Sequence, residues 1–109
     1  MLVISNFKVG DVITVKLSTG EELVARYNGA SADDLKIVKP TVLTLNPQNG
    51  QAMLIPWLMS IDAHSSDPVS VKGAQVVATA HTIKGLADNY IQNTSGITPA
   101  SSLEGLQLK

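Results

Sequence analysis

Val69-Ser70-Val71-Lys72-Gly73-Ala74-Gln75-Val76-Val77 is the stretch on which the fold turns. Val69 and Val71 alternate with Ser70 and Lys72, the period-two pattern of a half-buried strand. Lys72-Gly73 reads as a turn, since glycine tolerates the backbone that a tight reversal needs. Gln75 to Thr79 then resumes as a second short strand. Two strands this short are marginal alone, so the rest of the chain must supply partners.

The N-terminal half supplies them. Asp11 to Leu17 alternates, with Ile13, Val15 and Leu17 on one face and Val12, Thr14 and Lys16 on the other. Ser18-Thr19-Gly20 turns the chain, and Glu22 to Tyr27 is a second strand, making a hairpin. Asn28 to Asp34 is a loop by composition. Leu35 to Leu45 is a third extended segment, broken by Pro40. Proline cannot donate to a ladder, so the strand is expected to bulge or lie at an edge there. Asn46-Pro47-Gln48-Asn49-Gly50 is the strongest turn signal in the chain. A nearly continuous apolar run, Ala52 to Ile61, follows, and Asp62 to Pro68 is a polar loop.

Thr82 to Asn93 reads as the one clear helix, extending to about residue 95. Ile83, Leu86, Ala87, Tyr90 and Ile91 recur on one face. Thr82 is the expected N-cap and Gly96 the expected terminator. Gly85 weakens the helix by roughly 1 kcal/mol relative to alanine, so it must depend on docking. The tail 98–109 is rich in small and polar residues and is expected to be mobile. Residues 1–97 therefore read as a single domain, mainly β, with a C-terminal helix.

Composition bounds the function. The 109 residues suit one small domain. The chain is 44% hydrophobic and only 16% charged, which excludes intrinsic disorder and favours an oligomer. Eight Lys/Arg against nine Asp/Glu give a net charge of -1, without the basic excess usual in nucleic-acid-binding domains. There is no cysteine, which removes disulfides and thiolate metal sites and fits a reducing cytoplasm. The opening Met1 to Asn6 is too short for a secretory core. No run approaches the ~20 apolar residues of a membrane helix. The expectation is a soluble cytoplasmic protein with no membrane partner and no cofactor.

The Lys72-Gly73 stretch, with its apolar flanks, resembles the second signature motif of the Sm/LSm family. Gly10 to Gly20 is similar to that family's opening strand and glycine turn, and Leu23 to Ile37 would span its second strand, RNA-contacting loop and third strand. The Pro56-Trp57 segment ahead of the last strands resembles tailed-phage members. The resemblance covers about two-thirds of the chain, by pattern more than identity. It implies a small, strongly bent, five-stranded antiparallel SH3-like barrel. It further implies a closed homo-oligomeric ring of roughly five to seven subunits that binds single-stranded RNA at its pore and serves RNA processing or turnover. Lys72 would hold phosphate and Gly73 would allow close backbone approach, with Asp33 and Asp34 offering base contacts. The chain departs from the family in three ways. Ala32-Asp33-Asp34-Leu35 replaces the usual aromatic or His and Asn, residues 46–68 lengthen a hairpin, and the helix follows the barrel instead of preceding it.

Each candidate has a plainer reading beside it. Lys72-Gly73 is either an RNA-pocket element or a turn with a solvated lysine. Met53, Ile55 and Trp57 lie on the apolar run and, with Val76, are either a subunit interface through edge-strand pairing or ordinary core. Asp62, His64 and Asp67 share a loop, but neither their spacing nor that of His81 matches a metal or triad motif. No nucleophile and base are paired by spacing, so the chain reads as non-enzymatic. The competing function is a structural or assembly ring that binds no nucleic acid.

Overall fold

A computed structural model describes residues 6–62 and 64–95. Six strands precede one helix: β1 (Val12–Leu17), β2 (Glu22–Ala30), β3 (Asp34–Leu45), β4 (Ala52–Pro56), β5 (Val69–Lys72), β6 (Val76–His81) and α1 (Lys84–Thr94). They form one antiparallel sheet in the order β4-β3-β2-β1-β6, with β5 also on β3. The expected tail 98–109 and the terminating Gly96 lie outside the described residues.

β3 organises the sheet. One of its edges pairs with β2. The other is shared, with β5 along Asp34–Ile37 and β4 along Thr41–Leu45. β5 passes into β6 through a single 3-10 turn, Gly73–Gln75, and β6 pairs with β1. The sheet therefore curls back on itself through the chain. No hydrogen-bonded ladder joins β5 to β6 among the described residues, so the sheet is not closed.

Six strands, not five, result because Ala52–Pro56 folds back onto Thr41–Leu45. The ladder across the Asn46–Gly50 turn sets Leu43 opposite Leu54 and Val42 opposite Ile55. That turn places β4 in register, with Asn46 N–H donating to the Gln51 carbonyl and Gly50 N–H to the Asn46 carbonyl.

The bend has two local causes. Between Val24 and Arg26 of β2, β3 carries one extra residue. Between Tyr27 and Ala30, β2 carries the extra one. Such bulges bend a strand and raise its twist. The first lies at Lys39-Pro40, with Lys39 in the left-handed region at φ 53°. The second includes Gly29 at φ 113°, a conformation that side chains with a Cβ rarely adopt. The bulge expected at Pro40 is present.

The inner face of the curl is the core: Ile13, Val15 and Leu17 from β1, Leu23 and Ala25 from β2, Leu35 and Ile37 from β3, and Val71 from β5. All are aliphatic, at strict two-residue spacing. Each large side chain buried this way contributes about 1.5–3 kcal/mol. Val24 lies on the opposite face of β2 and is fully buried as well, and α1 packs against that strand.

The helix docks along the face its periodicity suggests, through Leu86, Ala87 and Tyr90, but the contact runs on to Thr94 and leaves out Ile83. Tyr90 is fully buried and Thr94 nearly so, and Leu86 and Ala87 are half-buried. Ile83 is 75% exposed. Thr82 does not cap the helix. Its hydroxyl lies 2.9 Å from that of Thr14, so Ile83 becomes the N-cap residue and the helix starts at Lys84.

Candidate nucleic-acid interface

The loop before β3 and the β5–β6 turn are far apart in sequence but adjacent in space. The β3–β5 ladder sets Asp34 opposite Lys72, Leu35 opposite Val71 and Lys36 opposite Ser70. Successive strand residues face opposite ways. Leu35, Ile37 and Val71 point into the core, so Asp34, Lys36, Ser70 and Lys72 share the outer face.

Contacts tie the site together. Lys72 Nζ is 3.6 Å from Asp34 Oδ1, with the Lys72 side chain 77% exposed and that of Asp34 24% exposed. Gly73 N–H donates to the Asp33 carbonyl at 2.6 Å. Lys36 Nζ donates to Ser70 Oγ at 3.0 Å. Asp34 N–H is held by Ser31 Oγ, and Ser31 N–H donates to the Asp34 carbonyl, which closes the loop. On the other side of the turn, Ser18 N–H and Oγ both bind Gln75.

All four RNA-contact residues expected from sequence, Asp33, Asp34, Lys72 and Gly73, therefore meet at one place. Two features modify their chemistry. The Gly73 N–H is already engaged by Asp33, so it is not a ready phosphate donor. The Lys72 ammonium is already facing a carboxylate. Lys36 and Ser70 complete the polar face and were not singled out by motif. The alternation of β3, in which Asp34 and Lys36 flank Leu35, was the signal that could have found them.

The expected interface residues divide. Met53 and Ile55 are each 41% exposed on β4, whose outer edge is unpaired among the described residues. Trp57 and Val76 are half-buried and pack against the core. Trp57 N–H donates to the Pro40 carbonyl, turning the chain inward just after β4. Its indole N–H donates to Glu21 Oε2 at 3.2 Å. The Thr19 hydroxyl first and then that indole N–H hold the Glu21 carboxyl below its ordinary range. β6, the other end of the sheet path, also has an outer edge unpaired among the described residues. It carries Val77, 66% exposed.

A second cluster sits at the start of β1. Phe7 packs edge-on to His81 with centroids 4.8 Å apart and lies 5.5 Å from the Tyr27 ring. His81 Nε2 is 3.3 Å from Asp11 Oδ2. The Lys8 N–H, and after it His81, lower the Asp11 carboxyl below its ordinary range.

Asp62, His64 and Asp67 take part in local turns: Asp62 Oδ1 accepts from the His64 backbone N–H, and the Asp67 backbone N–H donates to Ser65 Oγ. Among the described residues no group of three or more His, Asp or Glu is placed to hold a metal ion. No described helix is long and apolar enough to cross a membrane.

No protein-family model matches this chain, and no curated protein matches its sequence.

Proposed function

We propose that this chain is an Sm/LSm-like subunit of a closed homo-oligomeric ring that binds single-stranded RNA, without enzymatic activity, in RNA processing or turnover. The observation that carries the reading is the ladder that sets Asp34 opposite Lys72. It brings the loop before β3 and the Lys-Gly turn into one polar face, the two elements that the sequence resemblance assigns to RNA. The two outer edges left unpaired among the described residues support the ring. β4 and β6 end the sheet path, and both carry exposed apolar side chains. Exposed apolar edge strands pair with other chains. Pairing β4 of one subunit with β6 of the next is a head-to-tail contact, which closes into a ring of roughly five to seven copies if the rotation permits. In such a ring Lys36 and Lys72 repeat around the assembly and concentrate positive charge that a net charge of -1 conceals.

The second reading is a structural or assembly ring that binds no nucleic acid. The Lys72–Asp34 ion pair favours it, because the lysine is already neutralised and Asp33 adds a further negative charge.

Absolute mass by light scattering, followed by titration of labelled single-stranded RNA at low salt, tests both. A ring-sized species that binds RNA, with binding lost in Lys72→Glu at unchanged mass, is expected. A ring that binds no RNA supports the scaffold reading, and a monomer removes the ring and the pore with it.

A further inference from the structure

The RNA reading leaves open which base the site takes, and Asp34 bears on it. Its Oδ1 is buried and has no hydrogen-bond partner. The nearest positive charge, Lys72 Nζ, is at 3.6 Å, beyond hydrogen-bond range. A buried carboxylate oxygen without a donor is an unfavourable state that a ligand donor can relieve. Turning the carboxyl outward breaks no hydrogen bond at Oδ1. Because Oδ1 is hidden, the exposed quarter of the side chain lies on its other atoms, which leaves Oδ2 as the oxygen that can meet a ligand first.

We infer that the Asp34–Lys72 pair makes this site select guanine among the bases of a single strand, an inference that rests on the RNA-binding reading above. An ionised carboxylate only accepts hydrogen bonds. It therefore matches a base edge with two adjacent donors. Guanine has one, N1–H beside the N2 amino group, and its O6 acceptor lies next to them, where the Lys72 ammonium can donate. Uracil sets O2 in place of the second donor, against the carboxylate. Adenine and cytosine offer one amino group beside a ring-nitrogen acceptor, so the carboxylate gains a single bond and its second oxygen faces a lone pair. Single-stranded bases are open to readout on this edge. The Lys72 side chain is long and mostly exposed, so it can follow O6 while staying beside Asp34. Lys36, two residues along the same face and bonded to Ser70, is placed to meet the phosphate of the same nucleotide.

The test is a set of labelled adenine-rich 12-mers that differ only in two internal positions, filled with guanine, uracil, cytosine or adenine. They are titrated against the native full-length protein at low salt by anisotropy. The guanine strand should bind roughly tenfold tighter, the size of discrimination that a bidentate contact gives. Asp34→Asn, checked for unchanged mass in solution, should abolish the preference for the guanine strand over the other three. Competition on the native protein needs no variant: guanosine monophosphate should displace the bound strand at lower concentration than the other three mononucleotides. Binding of all four strands with equal affinity, or a preference that survives Asp34→Asn, overturns the guanine assignment and leaves the RNA reading standing. Failure of all four strands to bind overturns both.

Discussion

The Tyr90 hydroxyl lies 2.8 Å from the Lys39 carbonyl, to which it donates, while Lys39 Nζ donates to the Thr94 carbonyl at 2.9 Å. The same hydroxyl is 3.0 Å from the Val38 carbonyl, so one proton is shared between two acceptors. The β3 bulge and the last turn of α1 thus clasp each other. The bulge turns backbone carbonyls toward the helix, and the helix presents its last carbonyls to a lysine. This accounts for the docked face of α1. Tyr90, at the centre of the clasp, is fully buried, while Ile83 lies beyond its reach and stays exposed.

Tyr90→Phe should therefore destabilise the domain by about 1–3 kcal/mol, the cost of leaving buried acceptors without a donor. Burial pushes the Tyr90 phenol up to about 12 from its ordinary 10.0. The folded state holds the proton where the unfolded chain has released it. This stabilisation is complete below the unfolded value of 10.0 and is lost as the pH rises through about 12. Urea melts of both proteins across that range should show the stability gap narrowing with pH. A gap independent of pH would contradict the assignment.

Lys39 combines a favourable side-chain contact with an unfavourable backbone. Lys39→Ala removes the bond to Thr94 and keeps the left-handed conformation, so it should be destabilising. Lys39→Gly removes the same bond but relieves the backbone, which costs a side-chain-bearing residue about 1 kcal/mol. Glycine should be the more stable of the two by about that amount in chemical denaturation. The reverse order would mean that Lys39 leaves the left-handed region in solution.

The two sheet edges are tested apart from RNA. Ile55→Lys on β4 and Val77→Lys on β6 each place a charge on an edge, a device that blocks edge-to-edge pairing. Each alone should reduce the solution mass to that of one chain. Both side chains are exposed in the single chain, so its own stability should change by no more than about 0.5 kcal/mol. Retention of full mass in both variants would place the subunit interface elsewhere.

Asp11 gives an acid-side prediction. The Lys8 N–H foremost, and then His81, hold its carboxyl below its ordinary value of 3.8. Its contribution is present above that value and is lost as the pH falls through the lowered one. Asp11→Asn should flatten the acid-side dependence of stability on pH and, above the ordinary value of 3.8, lower stability by an amount that no longer changes with pH. Thermal melts over that range read the difference directly.

Much of the fold was legible in the chain. β1 and β2 are aliphatic alternations separated by a glycine turn, and a period-two pattern with one buried face allows a single register. The bulge followed from Pro40, since a proline within an extended run breaks the ladder. The extra strand β4 was not legible as a strand. Its run, Ala52 to Ile61, is apolar throughout, so periodicity could not separate edge from core. The structure divides it, with Met53 and Ile55 on the open edge and Trp57 turned inward by the Pro40 carbonyl.

The amino-acid order by itself determined the strand faces and the turns. These depend on local periodicity and on backbone preferences that each residue carries with it. Tertiary structure alone decided that Asp34 faces Lys72 and that Lys36 joins them. It also decided that Tyr90, and not Ile83 or Ile91, anchors the helix. Those outcomes depend on registers between segments more than thirty residues apart, where a shift of one position would turn every side chain to the other face.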